Sequence, residues 1–505
     1  MLKILRGTIK NTIIYSIGTL SSKLIGFILI PLYTSVFPVQ QYGMLGILEI
    51  TLQVFITIFG LGLSQAFFRW YWEKKDSKYQ KELYFTILFM VLIASFTFGI
   101  LVIYFQKPFS ILLFNTNTLT LLIRLLVFTT VLEVINIVTL TLIRLQEKAV
   151  LYSFLTTVKF LVQLLFTIYF IVNLHMKLEG IYYAQIIGAG FLLLASSPFI
   201  IKNLRFHFLT HLTGTVLKYS FPLLFSSITL IILSVTDRYM LRFLTDYEDV
   251  GIYSLGFKFA NFLRAVIINS VNLALLPVIY KMIGETSTNK RFYSKVMTYY
   301  TFGLMFFVLA ISFFNLEIIK VLSRRVAYWE AYRVIPVISF AILFGMLRDV
   351  GITGLNIAKK TSIIGYVTFF VAVINLLIDW LTIPRWGYMG AAFSTLTSQI
   401  IYFSVILFFA QKAYPIPYEL KKIGIIIFTG VGMVVLSQLF NPLPAIIRIL
   451  LKSALIILFP FILHLFNFYD KIESESIKNI WLSWRNPSSW RSNIRRFIKS
   501  NTDTK

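Results

Sequence analysis

Apolar runs of about twenty residues recur along this 505-residue chain, each long enough to cross the ~30 Å hydrocarbon core of a bilayer. With no water in that core, backbone N–H and C=O groups must pair within the segment or around a closed barrel. Runs this long, without strict apolar/polar alternation, leave the α-helix as the structure that satisfies them. Charged residues make up 13% of the chain against 58% hydrophobic ones, too little charge to cover a soluble surface of this size. The fold class expected is therefore an all-α polytopic membrane protein.

Spans are expected near 12–36, 43–68, 84–105, 118–143, 149–173, 179–200, 218–241, 251–280, 296–316, 334–357, 362–383, 388–410, 422–440 and 445–467, about 14 transmembrane helices. A repeat lies beneath them. Lys10 and Gly43 recur as Lys218 and Gly251, the same 208 residues apart, and an amide follows in each copy at one register, Gln53 and Asn261. Six spans separate the copies, so they run in the same direction, which predicts two six-helix halves related by pseudo-two-fold symmetry plus two C-terminal helices. The corresponding divisions are 1–205, 206–411, 412–468 for the two additional helices, and a basic amphipathic tail over 469–505. In that tail Trp481, Trp484 and Trp490 lie among Arg485, Arg491, Arg495 and Arg496, a composition suited to a lipid surface.

The net charge of +26 falls mainly in the short connections and the tail. Lys74, Lys75, Lys78 and Lys81, then Lys202, Arg205 and Lys218, then Lys290, Arg291 and Lys295 occupy alternate connections, which places these and both termini in the cytoplasm. Membrane lipids absorb this charge as partners, and nucleic acid is not needed to explain it. Arg324 and Arg325 break the pattern on the opposite side. The first span lacks a small-residue cleavage pattern, so it is expected to be retained. The chain has no cysteine, which excludes disulfides and thiolate chemistry; its four histidines show no metal-binding spacing, and no metal site is expected.

Function must reside among the helices, since no connection is large enough for a catalytic domain. An ionisable side chain in hydrocarbon costs about 2.5–3.5 kcal/mol or more, so such residues face a protein interior or a watery cavity. Lys23, Lys159 and Arg264 lie near mid-span, and Lys258 shares a helix face with Asn261. Thr12, Ser16, Thr19 and Lys23 form one polar stripe, and Thr156, Lys159, Gln163 and Thr167 form another. Such stripes fit a central chamber with surplus positive charge, attractive to an anionic head group. Each lysine could equally be held in an ion pair with a buried carboxylate. Arg124, Arg238 and Lys452 are close enough to span ends to snorkel. Glu133, Asp237, Arg238 and Asp349 are the candidates for coupling or gating, with Asp237–Arg238 also readable as a pair that fixes a helix end.

The stretch Pro31-Leu32-Tyr33, Phe37 and Tyr42-Gly43, together with Thr236-Asp237-Arg238-Tyr239-Met240-Leu241 and Val250-Gly251-Ile252-Tyr253-Ser254-Leu255-Gly256, resembles bacterial polysaccharide (O-antigen-type) flippases. These belong to the multidrug/oligosaccharidyl-lipid/polysaccharide exporter superfamily. The resemblance extends over most of the chain, is weakest in the last two helices and is absent from the tail. It implies a multi-pass protein of the cytoplasmic membrane that is a transporter and not an enzyme. Such a protein flips undecaprenyl-pyrophosphate-linked oligosaccharide units by alternating access for cell-surface polysaccharide biosynthesis. Its substrate partner would be that lipid-linked oligosaccharide, and a polysaccharide polymerase would use the product. No cofactor is implied beyond a coupling ion, Na+ or H+. By type, Lys23, Lys159 and Arg264 match the cationic cavity of such proteins. Two alternatives are a multidrug or toxin extruder, which should have twelve spans and an acid-dominated cavity, and a membrane-embedded polysaccharide polymerase or ligase, which needs a large outer loop.

Overall fold

The structure, a computed structural model, describes residues 26–262, 264, 288–471 and 473–475. Lys23, the stripe from Thr12 to Thr19 and the tail beyond 475 lie outside the described residues. Eleven helices among those described are long and apolar enough to cross a membrane. The first unit contains α1 (Gly26–Val36), α2 (Val39–Gly60), α3 (Leu63–Tyr71), α4 (Ser77–Tyr104), α5 (Gln106–Phe114), α6 (Thr120–Leu145), α7 (Ala149–Ile168), α8 (Leu178–Asn203) and α9 (Thr210–Leu244). Then come α10 (247–262) and, after most of α11 (Thr288–Phe313), α12 (Asn315–Leu322), α13 (Val334–Gly351), α14 (Thr353–Ile357) and α15 (Ser362–Ala413).

Several boundaries move for local reasons. The expected span 43–68 ends early, at Gly60, because Leu61 and Gly62 both adopt left-handed backbone (φ 47° and 67°) before α3 begins. The fourth helix starts at Ser77, where the Asp76 carboxylate accepts from the N–H groups of Lys78 and Tyr79 and so caps the first turn. The long helix α15 is two helices joined at Gly387, whose φ of 52° and ψ of −133° break the spiral three residues after Pro384. Its halves fold back on each other. Thr382 Oγ1 donates to Gly390 O, Asn375 Nδ2 to Ser394 Oγ, and Thr368 bonds Tyr402, partners that recede symmetrically from Gly387. An antiparallel hairpin of this length crosses the membrane twice, as the two spans expected over 362–410 require.

The repeat seen in the sequence is a contact in space. A Cβ at Gly43 would strike the carbonyl of Tyr247, and one at Gly251 would strike the carbonyl of Val39. Each glycine thus faces the residue four before its own counterpart. One turn further along, a Cβ at Gly46 would sit 3.2 Å from the Cβ of Ser254, its counterpart by the same 208-residue offset. Equivalent positions facing one another are what a two-fold axis between α2 and α10 produces. Only glycine lets the two backbones approach this closely.

The end of the bundle where α1 meets α2 is drawn together further by backbone acceptors. Arg325 donates to Ser35 O at 3.2 Å and Val36 O at 2.9 Å, and Tyr328 to Phe37 O at 3.0 Å. These are the last carbonyls of α1, which have no partner within the helix and carry the negative end of its dipole. The cation that breaks the charge pattern of the loops is therefore a helix cap. At the same end Arg242 Nε and the Tyr247 hydroxyl both donate to Leu113 O.

A second unit joins residues 294–313 of α11 to α16 (Leu420–Gln438), α17 (Ala445–Leu465) and the described start of the tail. Phe302 stacks with Phe459 and Phe468, and Gly430 admits the side chain of Met305. Lys452 does not snorkel as the sequence suggested: it is fully buried, and its Nζ donates to Asn441 Oδ1 at 2.9 Å. A loop amide reaches back to it, so burial within the unit replaces escape to the surface. The tail begins on a charged cluster. Asp470 accepts from Lys295 at 2.6 Å and from Lys422 at 2.7 Å, and these bonds hold its carboxyl down, to about 2. That attachment is complete above the ordinary aspartate range and is lost only as pH falls from there through about 2.

Candidate functional site

Four helical segments of the first unit surround a cavity of about 280 Å³: α9, α10, α13 and the second half of α15. Apolar walls come from Leu230, Leu233, Phe257 and Ile338, and the polar groups are Ser234, Asp237, Asn261, Arg264, Arg348, Thr395 and Gln399. Arg348 is fixed in place by Asp349 Oδ1, at 2.6 Å from Nη2, by Gln399 Oε1 at 3.3 Å from Nη1, and by the Tyr402 ring 4.4 Å beneath it. Two guanidinium groups on one cavity offer planar forks of N–H donors matched to phosphate oxygens. The amides and hydroxyls beside them can serve sugar hydroxyls.

Behind this wall lies a buried carboxylate pair. Asp237 is 3% exposed, and its Oδ2 accepts from Tyr253 at 2.5 Å and Thr395 at 2.6 Å. Asp379, from the first half of α15, is fully buried against Asp237 and Ser394 without a hydrogen bond of normal geometry to either. Both oxygens of Asp379, Oδ1 of Asp237 and Oδ1 of Asn375 have no hydrogen-bond partner among the described residues. Each orphaned buried acceptor costs about 1–3 kcal/mol, and two adjacent carboxylates in so dry a place cannot both stay bare. A hard cation would satisfy these oxygens together, because carboxylate and amide oxygens are the donors such ions take, and a proton shared by the two carboxylates would satisfy one oxygen of each. Asp237 belongs to both features: it lines the cavity and faces Asp379.

The other candidates lie elsewhere. Lys159 Nζ is 2.5 Å and 2.7 Å from the two oxygens of Glu133, and its stripe is packed beneath α8, where a Cβ at Gly188 would lie 3.1 Å from Lys159 O. Lys258 Nζ pairs with Glu49 Oε1 at 2.7 Å, above the ring of Tyr42. Neither lysine lines the cavity of Arg264. Asp237 and Arg238, adjacent in sequence, form no ion pair with each other. Arg238 instead lies 4.8 Å over the Phe257 ring, donates to Ser234 O and is 8% exposed, so it is not a snorkelling residue either. Asp349 is spent on Arg348. Reasoning from sequence passed over Arg348 as a cavity residue and Asp379, Asn375, Tyr253 and Thr395 as partners of Asp237. The available signal was a lone aspartate in the apolar run Asn375-Leu376-Leu377-Ile378-Asp379-Trp380.

Over residues 8–283, more than half its length, the sequence matches the model of a family described as polysaccharide biosynthesis protein. The chain belongs to that family. Residues 222–381 of this family member, which carry the cavity lining apart from Thr395 and Gln399, also match the MatE family model. No curated protein matches it. Its fold is shared with the lipid II flippase MurJ in an inward closed conformation, at TM-score 0.71 and 15% identity over 90% of this chain and 100% of that one. An inward-facing multidrug resistance MATE family transporter of the MOP superfamily aligns at TM-score 0.62 and 13% identity, covering 82% and 96% of the two chains. The MATE transporter VcmN from Vibrio cholerae, in its bent form, aligns at TM-score 0.55 and 16% identity, covering 81% and 97%. The chain is thus a multi-pass helical membrane protein of the polysaccharide biosynthesis family, with the fold that MurJ and these MATE transporters share.

Proposed function

We propose that this transporter flips lipid-linked oligosaccharide, of the undecaprenyl-pyrophosphate type, across the cytoplasmic membrane for surface polysaccharide assembly. The observation that carries the reading is that Arg264 and Arg348 line one cavity. A pyrophosphate is the kind of anion two guanidinium forks select. Family membership supplies the biosynthetic context. The polysaccharide polymerase that would consume the exported unit is a partner of the same proposal.

The buried carboxylates give the transporter a place to couple an ion. Na+ or H+ bound there would neutralise the carboxylate oxygens of Asp237 and Asp379 that have no hydrogen-bond partner among the described residues. The fit rests on the four unpartnered oxygens. Tyr253 and Thr395 hold Asp237 from α10 and from the second half of α15, so neutralising or baring this carboxylate alters contacts among three helices at once. Because Asp237 also lines the cavity, its charge balance is felt by an anion beside Arg264 and Arg348. Removing the chain from its host should abolish surface polysaccharide and accumulate its lipid-linked precursor in the inner leaflet. The wild-type sequence should restore export, and Asp379→Asn should reach the membrane yet fail to do so. Full restoration by Asp379→Asn would remove the coupling role.

The lysine-rich connections support a cytoplasmic N-terminus, and with that orientation the tightly closed end where α1 meets α2 faces outward. Reporters active only in the cytoplasm should work when fused at Lys75, Lys202, Lys290 and Lys422. Silence at two of these sites would reverse or break the proposed topology.

A further inference from the structure

A second cavity, of about 300 Å³, lies at the opposite end of α2 from Gly43, walled by α2, α3 and α6 on one side and by α9 on the other. Its floor is the break between α2 and α3. Gly60 and Gly62 both line it, and a Cβ at Gly62 would come within 3.0 Å of Ser220 O, so the left-handed turn there needs glycine. Leu61 beside it holds φ 47°, a conformation that costs a residue with a side chain about 1 kcal/mol or more.

The lining differs in kind from that of the arginine cavity. No carboxylate is present among the described lining residues, and their one cation, Arg144, lies flat over the ring of Phe68 at 5.2 Å. Ser64, Gln65 and Ser227 make no side-chain hydrogen bond to any described residue. Thr57 and Thr141 donate to backbone carbonyls of their own helices, at 3.0 Å and 2.7 Å, and keep lone pairs to accept. An aromatic face ringed by hydroxyl and amide groups that both donate and accept suits a neutral polyhydroxyl ring. A lone phosphate would use only the donors.

We infer that this cavity is a glycan subsite, which binds one or two sugar rings of the lipid-linked substrate apart from the arginines that take its pyrophosphate. The inference rests on the flippase reading. It divides recognition between two places: Arg264 and Arg348 read the charge common to all such lipids, and Gln65, Ser227 and their neighbours read the sugar. Because α9 contributes one wall and α2, α3 and α6 the other, a sugar held here touches elements from both copies of the repeat.

The test compares two probes on purified protein: undecaprenyl diphosphate, and the lipid-linked oligosaccharide pool extracted from the host's membranes. The variants are Gln65→Leu and Ser227→Val, one from each wall, with thermal midpoints in detergent as the control for folding. Each should weaken binding of the oligosaccharide lipid roughly three- to tenfold, the effect of losing one neutral hydrogen bond, and leave undecaprenyl diphosphate unchanged. Arg264→Ala should weaken both probes. If both wall variants bind both lipids as the wild type does, or lose both equally, the glycan subsite is refuted while the flippase reading stands. Failure of the wild type to bind either probe would refute the flippase reading and this inference together.

Discussion

Oxidation of a Gly46→Cys, Ser254→Cys double variant should stop transport, and a reductant should restore it. The two positions are counterparts across the repeat, and a Cβ at Gly46 would lie 3.2 Å from that of Ser254, close enough for a disulfide after a small adjustment. The chain has no cysteine of its own, so the only thiols present would be the two introduced. Alternating access requires the end where α1 meets α2 to open, and opening must separate α2 from α10. A covalent bond between them holds that end shut, which should reduce transport to background. Each single cysteine variant should transport under the same oxidant. Continued transport by a fully crosslinked protein would show that α2 and α10 do not part.

Replacing the cavity arginines should have the other large effect. A charge-assisted hydrogen bond contributes about 1.5–3 kcal/mol, so Arg264→Ala or Arg348→Ala should lower export of surface polysaccharide by roughly 10- to 150-fold at unchanged protein abundance. Arg264→Lys should be partly tolerated, because the charge remains while the planar fork is lost. Lys159→Ala should behave differently. It strands Glu133 without its partner, and breaking a buried pair costs about 3–5 kcal/mol, so the expected loss is of protein in the membrane. Quantitative immunoblots of membranes beside polysaccharide assays separate the two outcomes. Normal export by both arginine variants would dissociate the cavity from transport.

Much of the fold was legible because lipid imposes length and polarity on each span separately. The repeat was legible as well, since Gly43 and Gly251 are conspicuous at matched positions, and their facing carbonyls give that match a physical cause. The helix breaks were less so. The break at Leu61 and Gly62 lies inside the span expected over 43–68, whereas the one at Gly387 falls between the spans expected over 362–383 and 388–410. The site was read only in part. Arg264 lines a cavity, but pairing between distant helices cannot be read from spacing along one of them. Glu49 meets Lys258, and Asp237 meets Asp379, across helices far apart in the chain. Among the described residues, Lys159 and Lys258 have found carboxylates, and the rule for a buried charge does not distinguish a chamber from an ion pair.

The most direct test of the central claim is translocation in proteoliposomes. A fluorescent undecaprenyl-diphosphate oligosaccharide is placed in both leaflets, and its exposure to a membrane-impermeant glycosidase is followed under an imposed Na+ or proton gradient. The account predicts that wild-type protein moves the lipid, that Arg264→Ala nearly abolishes movement, and that Asp379→Asn makes the rate indifferent to the gradient. A protein that leaves this lipid in place but carries a lipophilic organic cation across the same membrane would contradict it.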